Sequence, residues 1–379
     1  MRIAVVTETY PPEINGVALT LAGFVEQLSA LGHEIVLTRP RQPADPMRPV
    51  PPNVRETFVR GAALPRYPGL RFGLPSGAHL RKHWTAAPPD AAYIATEGPL
   101  GWSAVRAARA LGIPSATGFH TRFDDFAAHY GLGLLTPMVF AWLRRFHNLA
   151  GATVVPTSEL KAFLERAGFR RVHRLSRGVD THLFAPGRRD ESLRASWGVP
   201  PDALAVVYVG RIAAEKNLDL AVRSFHAVRE AVPGSKLVWI GDGPALPGLR
   251  REHPEFVYCG MRRGEELASH FASGDLFLFP SVTETFGNVT LEAMASGVPV
   301  VAFDYGAARE HIRDATLGAL APFGDSAAFV AAARGLAGDT QRRETMRSVG
   351  RAAVERLSPR AVAENLAALL GSLRLARVA

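Results

Sequence analysis

Two carboxylates, Glu284 and Glu292, stand eight positions apart in the run SVTETFGNVTLEAMASGVP, residues 281–299. A carboxylate accepts two hydrogen bonds side by side, so each could hold a pair of vicinal hydroxyls on a ribose or a hexose. Between them, Phe286, Gly287, Asn288 and Val289 fall at an expected turn into a helix, where successive backbone amides can meet a phosphate or a sugar hydroxyl. The plainer reading of a glutamate here is a helix cap or a solvated surface group. Glu292 resists it, because LEAMASG is an otherwise apolar stretch and a carboxylate buried without partners is costly.

Two cations stand upstream. GRIAAEKN, residues 210–217, sets Arg211 and Lys216 five positions apart behind Gly210. A fixed guanidinium fork and a mobile ammonium together suit a diphosphate, although solvated surface charge is the alternative. Gly210, and Gly241-Asp242-Gly243 further on, would end two strands with room for a ligand beside them. TYPPEING, residues 9–16, joins a first strand to a helix. Gly16 there could admit an anion to the backbone and the helix amides, or simply make a tight turn. The glycine spacing of a dinucleotide fingerprint is absent. His120, in GFHTRF, could reach a substrate or make a structural hydrogen bond. His129 and His147 read as ordinary helix residues, and His311 beside Glu310 stays open. Adjacent Asp124 and Asp125 would not naturally offer both carboxylates to one ion, and neither HExxH nor a cysteine cluster occurs, so no metal is expected.

Such residues need a scaffold. Strands are expected over 2–7, 34–38, 91–96, 114–118 and 153–156, and helices over 16–31, 103–111 and 138–150. Residues 40–55, rich in Pro and polar groups, read as a loop. In the first helix Val17, Leu21, Phe24, Val25, Leu28 and Leu31 share a face, and Gly32 follows as a C-cap. The second half repeats the grammar, with strands over 205–209, 236–240, 256–259, 275–279 and 298–302 and helices over 218–231, 264–272 and 289–295. Strand, helix, strand at this spacing makes parallel sheets with right-handed crossovers, which bind ligands at their carboxyl ends. The expectation is an α/β chain of two domains, residues 1–180 and 181–358. The segment 359–379 would form a helix whose stripe of Ala363, Leu366, Leu369, Leu370 and Leu373 crosses back to the first domain.

Bulk properties exclude several classes. At 379 residues, 47% hydrophobic and 21% charged, the chain reads as compact rather than disordered or channel-forming. Its one cysteine, Cys259, excludes an intrachain disulfide and reads as a strand residue in a reducing compartment. The opening MRIAVVTETYPP reads as a core strand rather than a signal peptide, and no long uncharged apolar run suggests a membrane span. A cytoplasmic location follows as an expectation. Net charge is +9, yet residues 1–180 hold 21 Lys or Arg against 13 Asp or Glu, and residues 181–379 hold 23 against 22. The first-half excess suits anionic lipid, a phosphorylated acceptor or nucleic acid, or reflects an arginine bias. No zinc-finger or RRM pattern supports nucleic acid.

The run ETFGNVTLEAMASGVPVVA, with GRIAAEKN, TETYPPEINGVALTL, TGFHTRF and GVDTHLFAP in order along nearly the whole chain, resembles the family four retaining glycosyltransferases (glycosyl transferases group 1). The likeness is nearest to bacterial GDP-mannose-dependent mannosyltransferases and sulfolipid or glycolipid synthases. It implies two Rossmann-like domains facing a cleft, the GT-B fold, with the acceptor on the first and the nucleotide sugar on the second. It also implies transfer of a hexosyl unit from a nucleoside diphosphate sugar to an acceptor hydroxyl with retention, needing no cofactor or metal.

Carried over by position, the resemblance implies that Gly16 faces the donor diphosphate and that Arg211 and Lys216 neutralise it as it leaves. His120 would approach the donor sugar and Glu284 would hold sugar hydroxyls. The amides of Phe286, Gly287, Asn288 and Val289 would meet sugar and phosphate, Glu292 the ribose, and the strand end from Tyr258 to Met261 would flank the base. Many relatives have two glycines where Gly306-Ala307 stands here, which leaves that loop open.

The acceptor could be a lipid or a soluble saccharide. Arg66, Arg71, Arg81, Lys82 and His83, interleaved with Tyr67, Leu70, Phe72, Leu74, Leu80 and Trp84, suggest an interfacial surface. A second basic aromatic helix carries Met138, Phe140, Trp142, Leu143, Arg144 and Arg145. Together they suit peripheral contact with an anionic membrane, against a reading as core packing with solvated arginines. Arg122 and Asp124 could contact the acceptor.

Overall fold

The computed structural model describes residues 1–13, 15–42, 50–63, 71–120 and 136–378. Arg66, Tyr67, Leu70, Arg122, Asp124, Asp125 and His129 therefore lie outside the described residues. The chain divides into two compact units, Met1–Gly178 with Pro359–Ala379, and Val179–Ser358.

The first unit runs β1 (Arg2–Val6), α1 (Gly16–Ala30), β2 (Glu34–Pro40), β3 (Val54–Val59), β4 (Gly61–Ala63), β5 (Arg71–Gly73), α2 (Gly77–Ala86), β6 (Ala91–Ile94), α3 (Pro99–Ala110), β7 (Ser115–Gly118), α4 (Thr136–Asn148), β8 (Ala152–Val155), α5 (Ser158–Arg166) and β9 (Val172–Arg174). Seven strands form one sheet in the order β3-β2-β1-β6-β7-β8-β9, and every pairing in it is parallel. Chain order reverses direction at β1 and β6, so the carboxyl ends of those strands are where a ligand crevice opens. Strands buried on both faces explain the near-continuous apolar runs IAVV and AAYI. The expected loop over residues 40–55 is corrected at its end: β3 begins at Val54 and pairs along the whole of β2 from Ile35↔Val54 to Pro40↔Val59. Its alternation was hidden by VRETFV, a half-polar edge strand.

The second unit runs α6 (Glu191–Ser196), β10 (Ala205–Val209), α7 (Leu218–Ala231), β11 (Lys236–Ile240), α8 (Leu246–Glu252), β12 (Val257–Gly260), α9 (Gly264–Ala272), β13 (Leu276–Phe279), α10 (Asn288–Ala295), β14 (Val300–Phe303), α11 (Gly306–His311), β15 (Ala319–Ala321), α12 (Ser326–Gly338) and α13 (Thr340–Glu355). Its six-stranded sheet has the order β12-β11-β10-β13-β14-β15, again wholly parallel. Here the switch point lies between β10 and β13.

A final helix, α14 (Pro359–Val378), belongs to the first unit. Val362, Ala363, Leu366, Ala367 and Leu370 join Leu21, Phe24, Val25 and Leu28 of α1 in one buried cluster. The stripe thus finds its docking surface on α1, which offers an apolar face of matching helical period.

Candidate active site

In the second unit, glycine sets how close two strand ends can come. Gly210 and Gly241 have φ of 148° and 147°, in the range that L side chains rarely adopt. A Cβ on Gly241 would stand 1.9 Å from the Gly210 carbonyl oxygen, and one on Gly243 2.3 Å from that of Ile212. The chain then bends through a short turn at Ala214–Lys216 and through Asn217, which is left-handed at φ 56°. That bend aims Lys216 at the end of β13. Its Nζ lies 2.6 Å from Glu284 Oε1 and 3.5 Å from Ser281 Oγ. Ser281 also donates to Glu284 Oε1 at 2.9 Å. Arg211 remains half-exposed, with Glu215 3.9 Å away.

The loop after β13 is fixed through its backbone. Tyr305 Oη donates to the Glu284 carbonyl, and Ala307 N donates to the Phe286 carbonyl at 2.6 Å. Gly306 is required at φ 58°, where a Cβ would stand 2.7 Å from that same carbonyl; Ala307 fits as alanine because it needs no such conformation. Phe286 is buried, with its ring 5.9 Å from that of His311. Gly287, at φ 91°, starts α10 and no side chain caps it, so the Asn288 and Val289 amides have no partner among the described residues. Glu292, one turn on, is half-buried and its carboxylate has no partner among the described residues. Desolvation alone pushes its carboxyl up to about 7.

Tyr258 is turned away from this opening. Its hydroxyl donates to the carbonyls of Leu249 and His253 at 3.0 and 2.9 Å, with Arg250 over its ring. Met261, 49% exposed, is the side chain of that strand end left in the open. Cys259 lies on β12, half-buried, and burial raises its thiol pKa, which makes it a poor nucleophile.

In the first unit the expected anion-binding turn is partly occupied. Asn15 Oδ1 accepts from the Val17 and Ala18 amides at 3.1 and 2.8 Å, and its Nδ2 donates to Thr9 Oγ1. The start of α1 therefore offers fewer open amides than the sequence suggested. Gly16 itself has nothing within 4 Å of a would-be Cβ, so the fold does not demand glycine there.

His120 is buried and both its ring nitrogens are engaged. Arg177 Nη2 stands 2.7 Å from Nδ1 and Tyr93 Oη 2.8 Å from Nε2. A guanidinium only donates, so Nδ1 must accept and the proton sits on Nε2. Burial, with the Arg177 charge beside it, holds the imidazole pKa well below the usual histidine range. Gly118 makes room: a Cβ there would stand 2.4 Å from His120 Nε2. His147 lies on α4, as expected, and is fully buried, with Nδ1 2.8 Å from Thr117 Oγ1 and Nε2 3.4 Å from Glu97. Glu8, after β1, accepts from the Leu100 and Gly101 amides at the start of α3, and burial pushes its carboxyl up to about 7.

Glu8, Glu97 and Arg177 escaped the sequence reading. The available signal was a charged residue directly after a strand in TETYPP, TEGP and RLSRGVD. The expected interfacial residues divide. Leu80, Trp84 and Leu143 are core residues, whereas Leu74, Met138 and Trp142 are exposed. Among the described residues no group of three or more His, Cys, Asp or Glu could hold a metal, and no described helix is long and apolar enough to cross a membrane.

Two cations, open helix amides and an unpaired carboxylate thus lie at the strand ends of the second unit. Residues 14–183 match the model of Glycosyltransferase Family 4, and residues 203–339 that of Glycosyl transferases group 1. A GDP-mannose-dependent alpha-mannosyltransferase of Mycobacterium tuberculosis is 36% identical over 330 residues, 86% of this chain and 85% of that protein. The chain belongs to glycosyltransferase family 4. Sulfoquinovosyl transferase SQD2 of Arabidopsis thaliana is 29% identical over 93% of this chain and 69% of its own length. The solved sucrose-phosphate synthase of Thermosynechococcus elongatus superposes with a TM-score of 0.79 at 19% identity, covering 99% of each chain. The two doubly wound units are those of the GT-B fold, and this family 4 member is a nucleotide-sugar-dependent hexosyltransferase.

Proposed function

We propose that the protein transfers a mannosyl unit from GDP-mannose to a hydroxyl of a membrane lipid or glycolipid acceptor, with retention at the anomeric carbon. The observation that carries the reading is Lys216, held 2.6 Å from Glu284 beside the open amides of α10 and the unpaired Glu292. A departing diphosphate gains negative charge as the glycosidic bond lengthens, so Lys216 and Arg211 bind the transition state more tightly than the ground state. Glu292 would take the ribose hydroxyls and Glu284 the sugar hydroxyls. The Phe286 to Val289 amides would face sugar and phosphates, between the glycine-lined ends at Gly210 and Gly241 and a base near Met261. Tyr258 contributes its backbone, since its hydroxyl is committed elsewhere.

His120 enters this scheme as a fixed neutral imidazole of the first, acceptor-binding unit. With the proton on Nε2 and Nδ1 filled by Arg177, it shapes the site rather than abstracting a proton. No resident metal or cofactor is required, because cations and amides supply the electrostatic stabilisation. The mannose and GDP assignments lean on the 36% identical mannosyltransferase. Thermal stabilisation by GDP-mannose, UDP-glucose, UDP-galactose, UDP-N-acetylglucosamine and UDP-glucuronate tests them. GDP-mannose should give the largest shift, and a larger shift with any UDP-sugar overturns the donor assignment.

A further inference from the structure

Between α2 and the sheet of the first unit lies an opening that the reaction does not use. Val36 and Thr38 of β2 stand opposite Arg55 and Thr57 of β3, in the pairs Val36↔Arg55 and Thr38↔Thr57. With a strand period of two these side chains share one sheet face, and Arg2 of β1 joins them because Ala4 pairs with Val36. Leu80 and Trp84 of α2 pack on that face, buried with Ala4 and Val6. One turn apart on α2, His79 and His83 hold their rings 4.3 Å from each other. The cavity left between helix and sheet is about 250 Å³, and Arg2, Thr38, Arg55, Thr57, His79 and Trp84 are on its wall.

The polar groups of that wall are unfilled. His79 Nε2 and Arg2 Nε are buried without a hydrogen-bond partner. Among the described residues the hydroxyls of Thr38 and Thr57 and the indole of Trp84 have none either. Folded proteins pair nearly all such groups, so a cluster of open ones marks a place where a ligand supplies the partners.

Charge and hydrogen-bonding capacity select that ligand. Arg2 and Arg55 share one carboxylate, Glu34, at 3.6 and 4.0 Å, and Lys82 adds positive charge near His79. The excess disfavours a cation and favours an oxyanion, which a guanidinium binds through paired hydrogen bonds. Burial holds His79 below the ordinary histidine range, and a neutral imidazole both donates and accepts, as a threonine hydroxyl does. Those groups suit sugar hydroxyls, and a bare phosphate would leave them open. The volume falls below the roughly 300–1,000 Å³ of sites for drug-sized ligands, which fits a monosaccharide. A bilayer surface would meet the outer side of α2 and not Thr38, which is 2% exposed.

We infer that this cavity is a second ligand site, separate from the donor site, and that it takes a small phosphorylated sugar. Arg2 and Arg55 hold the phosphate, Thr38, Thr57 and His79 the hydroxyls, and Trp84 gives a wall for the ring.

Full-length protein is titrated calorimetrically with glucose 6-phosphate, mannose 6-phosphate, inorganic phosphate and glucose. At least one sugar phosphate should bind about tenfold or more tighter than inorganic phosphate or glucose. Arg55→Gln/Thr57→Val, on the edge strand β3, should weaken that binding about tenfold or more. His79→Phe, which keeps a ring and removes its nitrogens, should weaken it as well. Lys216→Ala, in the donor site, should bind the sugar phosphate as wild type does. Melting temperatures check that each variant is folded. In wild type the His79 imidazole resonances, assigned by their loss in His79→Phe, should shift as the sugar phosphate is added. Absence of wild-type binding, binding no tighter than that of inorganic phosphate, undiminished binding by either cavity variant, or unmoved His79 resonances would each overturn the inference. So would loss of binding in Lys216→Ala, which moves the ligand to the donor site. Displacement of the sugar phosphate by phosphatidylglycerol vesicles would assign the cavity to a lipid headgroup and overturn it too.

Discussion

The polar groups at the strand ends of the two units are in opposite states. In the first unit they are closed: His120 is bonded at both nitrogens, Asn15 occupies the leading amides of α1, and Glu8 is capped by the start of α3. In the second they are open, with α10 uncapped, Arg211 half-exposed and Glu292 unpaired. A closed network gives a fixed wall whose shape does not depend on a ligand, because its principal donors and acceptors are already joined to one another. An open one carries uncompensated desolvation that a ligand can relieve, which is how a site reserves interaction energy for binding. The contrast predicts that substitutions in the second unit change donor handling, whereas those in the first change rigidity and proton placement.

Lys216→Ala should break the open side most severely. Loss of one cation aimed at developing charge should lower turnover by about 100- to 1,000-fold at saturating donor, by analogy with removal of an oxyanion donor. The melting temperature should move little, since Glu284 keeps its bond from Ser281. Near-normal turnover would remove Lys216 from the mechanism and with it the meaning of the Lys216–Glu284 pair.

Arg177→Met tests the closed side. It strips the donor from a buried histidine nitrogen, at a cost of roughly 1–3 kcal/mol. Part of that is offset because Arg177 is itself strained by burial, its guanidinium pKa pushed down to about 10 with Nη1 unpartnered. The decisive readout is His120. Burial, the larger cause, keeps the pKa of His120 low, but with the adjacent positive charge gone it should rise, visible as an imidazole resonance that shifts at a higher pH in the variant than in wild type. A His120 resonance unchanged by the substitution would mean that burial among Tyr93, Gly118 and His147, rather than Arg177, sets its state.

The two sides were unequally legible in the sequence. The open side could be read because its parts are contiguous: GRIAAEKN and SVTETFGNVTLE each deliver several site groups in one run, and strands 205–209 and 236–240 ended where expected. The closed side joins residues far apart, His120 to Tyr93 and Arg177, and Glu8 to Leu100, through tertiary contacts that periodicity does not encode. Edge strands such as VRETFV and the interfacial reading of Leu80 and Trp84 failed for a related reason. Partly polar strands and amphipathic helices look alike whether their apolar residues meet a core or a membrane, and only packing decides it.

The smallest expected effect sharpens the comparison best, because Glu292 links an open site to pH. Its carboxyl is raised from 4.5 to about 7 by desolvation, so the folded, ligand-free protein binds that proton more tightly than the unfolded chain. The stability this confers is fully present below about pH 4.5 and is lost as pH rises through about 7. Glu8 shares the direction and window, so Glu292→Gln should reduce, not abolish, the fall in ligand-free melting temperature between acid and mildly alkaline pH. GDP reverses the preference. Ribose hydroxyls donate to a carboxylate and favour its ionised form, so wild-type GDP affinity should weaken as pH falls below about 7. In Glu292→Gln, GDP affinity at alkaline pH should be about tenfold lower, the loss of a charge-assisted bond of about 1.5 kcal/mol, and should depend on pH less than in wild type, with only the terminal phosphate of GDP titrating over that window. Calorimetric titration of GDP across that range decides it: binding by wild type no more pH-dependent than by the variant would place the ribose elsewhere and leave Glu292 an unpaired carboxylate of the fold.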